Sequence, residues 1–250
     1  MTNAASPKFL KGPNGRIAYL CEHGAGPGLV WLGGFKSDMT GTKAAFLAEW
    51  AKKRGRAFLR FDYSGHGASD GAFEDGCISD WFADALAAFD ALTEGPQILI
   101  GSSMGGWIAT LLALKRAPRI AGALFIAPAP DFTEELMWPD MSEAQREALM
   151  RDGRIEEPSE YSPEPTVITK KLIEDGRKNL VLSGPLPMPF PVRIHQGMAD
   201  PDVPWRHALR FAEAIDGSDV EMTLVKTGDH RLSTPADLSR LATTLDTLSA

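Results

Sequence analysis

Apolar residues recur along this chain in two alternating rhythms. Short continuous runs have the length and the β-branched and aromatic content of buried strands: RIAYL (16–20), GLVWLGG (28–34), RAFLRFD (56–62), QILIG (97–101), AGALFIAP (121–128), VRIHQG (192–197) and VEMTLVK (220–226). Between them, apolar residues return at every third or fourth position. The clearest case is Ile78, Trp81, Phe82, Ala85, Leu86, Phe89 and Leu92, which line one face of a predicted helix. Further helices are predicted around Phe46, Leu47 and Trp50, around Ile108, Leu111 and Leu112, from about Pro204 to Ile215, and from about Pro235 onward. This alternation predicts an α/β fold, with a mostly parallel central sheet covered by helices on both faces.

The rhythm fails between about 128 and 191. Charged helical pieces, SEAQREALMRDG and PTVITKKLIEDG, are followed there by the proline-rich SGPLPMPFP. A structureless connection of that length does not suit a compact domain. The expectation is a single domain, 1–250, in which residues 129–190 form a small helical cap insertion.

Composition narrows the partners. The net charge of −7 gives no electrostatic support to a nucleic-acid or anionic-membrane partner. No run approaches the ~18 continuous apolar residues of a membrane span. Cys21 and Cys77 lack metal-ligand spacing, and the N-terminus has neither a secretory h-region nor an arginine-rich presequence, so a cytoplasmic location is expected.

The spacing Gly-x-Ser-x-Gly marks many nucleophilic serines, and it occurs twice, at Gly67–Gly71 around Ser69 and at Gly101–Gly105 around Ser103. The chemistry needs a sharp turn directly between a strand and a helix, which lifts the hydroxyl above the sheet. Ser103 has that context, between QILIG and a helix from about Met104. Ser69 lies in a glycine-rich loop and reads as a turn serine. A serine needs a base within hydrogen-bond reach, and the base needs an orienting acid. Among five histidines, His230 follows the last strand, in the loop KTGDHRLSTP. His23 and His66 lie in other loops, His195 reads as a core residue and His207 lies on a helix. Asp200, just past VRIHQG, is the expected acid, with Asp202 and Asp131 as rivals. Asp229 reads as a solvated loop carboxylate. For a developing oxyanion the expected donors are the backbone N–H groups of Met104, at a helix start, and Phe35, in LGGFKSD, with Lys36 the alternative.

On LGGF, FDYSGHGASDG, GSSMGG, HQGMADPDVPW and GDHR the chain resembles the α/β-hydrolase superfamily. On SDMTGTKA, RFDYSGHGASDG, HQGMADPDVPW and DHR it is similar to the subfamily of mitochondrial acyl-glucuronide esterases and palmitoyl-protein thioesterases. The resemblance implies a serine hydrolase with Ser103, Asp200 and His230 as its triad, acting on a small-molecule or acylated substrate (an acyl ester or thioester) without a metal or organic cofactor. The chain has Gly-Gly where many members of the superfamily have His-Gly, a change that keeps the backbone donor.

Trp138, Met188 and Trp205, with Met137, Leu186 and Phe190, are candidates for an apolar acyl pocket, or for the insertion's own small core. Arg151, Arg154, Lys170 and Lys171 would hold a substrate carboxylate or form a solvated helix face. Two other classes stay open: a prolyl-type serine aminopeptidase and a non-catalytic binding protein on the same fold. Oligomeric state is not legible.

Overall fold

The computed structural model describes residues 6–158 and 165–249. Chain order runs β1 (Lys8–Gly12), β2 (Gly15–Glu22), β3 (Ala25–Leu32), α1 (Thr42–Arg54), β4 (Arg56–Phe61), α2 (Ile78–Leu92), β5 (Gln97–Ser102), α3 (Met104–Arg116) and β6 (Ile120–Ile126). After the segment that leaves the sheet come β10 (Val192–Gly197), α7 (Trp205–Ala214), β11 (Ile215–Asp216), β12 (Val220–Val225) and α8 (Pro235–Leu248). One sheet takes eight of the strands in the order β1-β2-β4-β3-β5-β6-β10-β12. From β4 to β12 neighbouring strands pair parallel, and β2 joins β1 and β4 antiparallel.

Strand alternation explains how both faces acquire a core. Side chains along a strand point to opposite faces in turn. In β3, Val30 and Leu32 enter the cluster built with Trp81, Phe89, Trp107, Leu112 and Phe211 of α2, α3 and α7. Their neighbours Leu29 and Trp31 enter a second cluster with Leu47 and Trp50 of α1 and Leu241 and Leu245 of α8. β6 repeats the division, with Phe125 on the first side and Leu124 and Ile126 on the second. Each fully buried large apolar side chain contributes roughly 1.5–3 kcal/mol, more than the at most ~0.7 kcal/mol by which ordinary residues differ in helix propensity. Burial, not local preference, therefore fixes the frame. Local signals set the ends of helices: Thr234 and Asp237 form a capping box with Pro235 in the first turn of α8.

Between β6 and β10 the chain builds a π-helical turn (Thr133–Met137), α4 (Trp138–Asp140), α5 (Glu143–Asp152), β7 (Arg154–Glu157), β8 (Thr166–Thr169), α6 (Lys170–Gly176) and β9 (Leu186–Pro187). The segment is not purely helical as expected: β7 and β8 pair antiparallel, and β9 pairs parallel with β11. Its apolar residues Met141, Leu149, Ile168 and Ile173 make a small cluster of their own. Polar ties fasten it to the body. Asp175 accepts from Ser79 N (2.8 Å) and Ser79 Oγ (2.7 Å) on α2, and Trp107 Nε1 donates to the Asn179 carbonyl at 3.0 Å.

Candidate active site

Parallel strands share one carboxyl edge, so the loops after β3, β5, β6, β10 and β12 crowd together there. Ser103 stands at the turn from β5 to α3 with φ 55° and ψ −122°, a conformation that L residues avoid. Its backbone is held by donation to the Ile126 carbonyl (3.0 Å), while its own carbonyl accepts from Gly106 and Ala129 N–H groups at 2.8 and 3.1 Å. The glycine at 105 has a steric cause: a Cβ there would lie 2.0 Å from the Leu32 carbonyl oxygen and 2.5 Å from that of Gly33.

His230 Nε2 lies 3.0 Å from Ser103 Oγ, and His230 Nδ1 lies 2.8 Å from Asp200 Oδ2. The Asp200 carboxylate is fully buried, and the His230 imidazole is partly exposed. Three donors besides the imidazole aim Asp200. Asp202 N and Val203 N each reach Oδ1 at 2.9 Å, and Gln196 Nε2 reaches Oδ2 at 3.0 Å. The sequence alone does not single out Gln196; its signal is a polar side chain in phase with buried Val192 and Ile194 on one face of β10.

Most of the rival assignments resolve by contact. Asp131 turns its carboxylate to Val181 N (2.8 Å) and Leu182 N (2.8 Å), joining the start of the segment after β6 to its return. Asp229 caps its own loop at Leu232 N, 2.9 Å away. Ser69 donates to the Asp62 carbonyl at 2.7 Å and accepts from Ala18 N at 2.8 Å, so both hydrogen-bonding functions of its hydroxyl serve the turn. His195 faces Thr244 Oγ1 at 3.0 Å and His207 faces the Pro130 carbonyl at 2.8 Å. Burial lowers the pKa of His66 and His195 to about 4 and that of His207 to below its usual range. All three are held neutral, with hydrogen-bond partners other than Ser103.

The loop after β3 runs beside the serine. A Cβ built on Gly34 would lie 3.4 Å from Ser103 Cβ and 3.9 Å from Oγ, so the Phe35 peptide follows at close quarters. The Phe35 ring is packed edge-on against Phe73 (4.7 Å between centroids), Phe132 (5.6 Å) and Trp81 (5.9 Å). Met104 N–H, in the first turn of α3, is one of the donors that an α-helix leaves without an internal acceptor. Lys36 sends its ammonium outward to the Pro165 carbonyl at 3.3 Å and Thr166 Oγ1 at 3.5 Å.

The expected pocket residues do not gather. Met188 is fully buried in the main core and precedes β10, at the opposite end of the strands from Ser103, with its N–H on the Asp216 carbonyl at 3.2 Å. Leu186 and Phe190 share that core. The apolar run before β10 thus covers the amino edge of the sheet, and Met188 is removed from the pocket. Trp138 packs on the segment's own cluster with the Arg177 guanidinium 4.5 Å from its ring centroid, and Trp205 opens α7 under Arg206 at 4.3 Å. Lys171 pairs with Asp80 at 2.7 Å, Lys170 with Glu174 at 3.7 Å and Arg151 with Asp152 at 2.7 Å, so these cations already have acidic partners. Asp200, Asp202 and His230 offer ligand atoms within 4.8 Å of one another. Asp200 and His230 already commit those atoms to each other, to Ser103 and to backbone N–H groups, so a metal there would compete with the serine relay.

Comparison with known proteins gives the same fold. A family model described as serine aminopeptidase, S33, matches residues 30–165. Palmitoyl-protein thioesterase ABHD10, mitochondrial, of Rattus norvegicus is 37% identical over 242 residues, 96% of this chain and 81% of that protein. The solved structure of alpha/beta hydrolase domain-containing protein 10 from mouse has a TM-score of 0.90 at 36% identity over 98% of both chains. A protein from Agrobacterium vitis S4 that carries the name hydrolase has a TM-score of 0.94 at 45% identity, over 98% of this chain and 99% of that one. The thioesterase relatives carry mitochondrial names, which overturns the cytoplasmic location expected from the sequence. That expectation used cysteine count and N-terminal composition, and neither fixes a compartment, because targeting signals are addresses read by receptors. No helix among the described residues is long and apolar enough to cross a membrane.

Proposed function

Since the chain belongs to the α/β-hydrolase family of the serine aminopeptidase S33 type, we propose that it is a serine hydrolase cleaving carboxylic esters or thioesters through an acyl-enzyme. The observation that carries this reading is the unbroken relay from Asp200 through His230 to Ser103, with contacts of 2.8 and 3.0 Å. Ser103 Oγ attacks the acyl carbonyl carbon while His230 Nε2 takes its proton. The Phe35 and Met104 N–H groups hold the oxyanion. Collapse breaks the bond to the alcohol or thiol, which leaves with the proton from His230. Water then gives a proton to His230 and attacks the acyl-serine, releasing the carboxylic acid and restoring the hydroxyl. Asp200 keeps the imidazole in the tautomer with hydrogen on Nδ1 and stabilises its charged form.

The palmitoyl-protein thioesterases support an acylated substrate by name, whereas the hydrolase from Agrobacterium supports hydrolysis alone. The half-buried Phe35, Leu136 and Met137, which pack against the main core, are apolar surface on which an acyl chain would lie. The segment from 129 to 190, which supplies Leu136 and Met137, acts in this reading as the cap over the serine. The family description keeps an aminopeptidase as the second reading. A panel of p-nitrophenyl acyl esters, acyl thioesters, acyl glucuronides and aminoacyl anilides tests both, with Ser103→Ala as the blank. Acyl ester or thioester turnover lost in Ser103→Ala is the expected result. Turnover of anilides alone would replace this reading with the second.

A further inference from the structure

We propose that Lys43 is a positioning residue for His230, its ammonium clamping the loop that carries the imidazole. This rests on the serine-hydrolase reading above.

Lys43 stands in the first turn of α1, yet its Nζ crosses to the loop after β12 and donates to the Arg231 carbonyl at 2.5 Å. That carbonyl belongs to the residue next to His230, so the bond restrains the Arg231–Leu232 peptide, one peptide beyond the residue that carries the imidazole. The position is locally unfavourable. The first turn of a helix carries unsatisfied N–H groups and favours an anion, and α1 has no acidic residue there, only this cation. A local choice that opposes its helix is explained by a tertiary contact that uses it.

The loop needs such a tie. Leu232 has φ 43°, a conformation costly for a branched side chain, and persists because its surroundings hold it. Its side chain is buried in the cluster with Trp31, Ala44 and Leu47, and its N–H is capped by Asp229. Those contacts fix the far side of the loop. Lys43 grips the carbonyl between Leu232 and His230.

The charged groups about Lys43 are Asp229 and Arg231 from the loop and Asp237 from α8. Burial dominates them and lowers the lysine to about 8, with the two carboxylates opposing the shift and Arg231 adding to it. Below that pH the contact is a charge-assisted bond, and above it an ordinary amine–carbonyl bond of lower strength. Activity should therefore decline as pH rises through about 8. Stability moves the other way: between about 8 and 10.5 the unfolded chain binds the proton that the folded lysine has lost, so this group favours folding more as pH rises. A merely structural lysine would not separate the two.

The test measures kcat and KM for a p-nitrophenyl acyl ester, and the rate of labelling by a fluorophosphonate, from about pH 6 to about pH 10 in the wild type, K43M and K43R. K43M should lower kcat roughly 10- to 100-fold with KM nearly unchanged and lose the decline above pH 8. K43R should restore most of kcat and carry activity unchanged to about pH 10, because a guanidinium stays charged there. If K43M does not fold, the K43R profile decides alone: a wild-type decline near pH 8 in K43R overturns the proposal. So does a K43M enzyme with wild-type kcat and pH profile. Active wild type with indifferent variants defeats the Lys43 role only, whereas a wild type that neither turns over nor labels removes the serine-hydrolase reading and this role together.

Discussion

A hydroxyl attacks a carbonyl usefully only if its proton leaves as the bond forms, and the imidazole 3.0 Å from Ser103 is oriented for that task. The acid behind it should matter through tautomer and charge. Asp200→Asn keeps the volume and the hydrogen bonds from Asp202 and Val203, but lets His230 present a hydrogen to Ser103 instead of a lone pair. We predict a fall in kcat of about four orders of magnitude with KM little changed, measured by steady-state kinetics. Wild-type kcat in this variant would mean that Asp200 only supports the loop. At this scale the sequence was informative because the three residues each follow a strand, so pattern and chemistry could be checked against one another. Gln196 and Lys43 were not legible. A polar residue in a strand that also carries Arg193 and His195, and a lysine in a charged helix, look ordinary until the partner, 4 or 188 positions away, is known.

At the scale of elements, the turn between β5 and α3 depends on backbones passing closer than side chains allow. A methyl at 105 would meet two carbonyl oxygens, one at the end of β3 and one just past it, so Gly105→Ala must push α3 away from Leu32 and Gly33. We predict a loss of stability of about 1–3 kcal/mol by urea denaturation, together with loss of activity, because the same shift moves Met104 N–H from the place proposed for the oxyanion. An active variant of wild-type stability would contradict this account of the glycine. Strands and helices of the sheet were legible because each buries a continuous run or a regular stripe; α2 spans 78–92 and β10 spans 192–197, as their patterns predict. The segment after β6 was harder. RIEE and TVIT are short, and each is too brief to show a strand period, so their antiparallel pairing is not legible in a segment whose longer pieces read as helix. Met188 differs from its expected place for a related reason: apolarity says that a residue is buried but not at which end of a strand.

For the molecule as a whole, the parallel sheet gathers loops that lie 127 residues apart in sequence onto one edge, and two packed faces hold that edge rigid. The packing has a cost in acid. His66 and His195 are buried on different elements with pKa values of about 4, against 6.5 when exposed. As pH falls from 6.5 to 4 the unfolded chain gains protons that these folded imidazoles refuse, so each removes roughly 3 kcal/mol of stability across that window. The prediction is a urea midpoint that drops between pH 6.5 and 4, with a shallower drop in His195→Gln, where Thr244 keeps a partner. An equal slope in both proteins would show that the imidazole at 195 titrates normally.

The central claim, that Ser103 is the atom on which an acyl group rests between two steps, is tested most directly by intact-mass and peptide-level mass spectrometry of protein quenched in acid during turnover of a slow acyl ester. The account predicts one added acyl mass on the peptide containing Ser103, absent in His230→Ala. An adduct on the peptide containing Ser69, or turnover with no adduct on either serine, would contradict it.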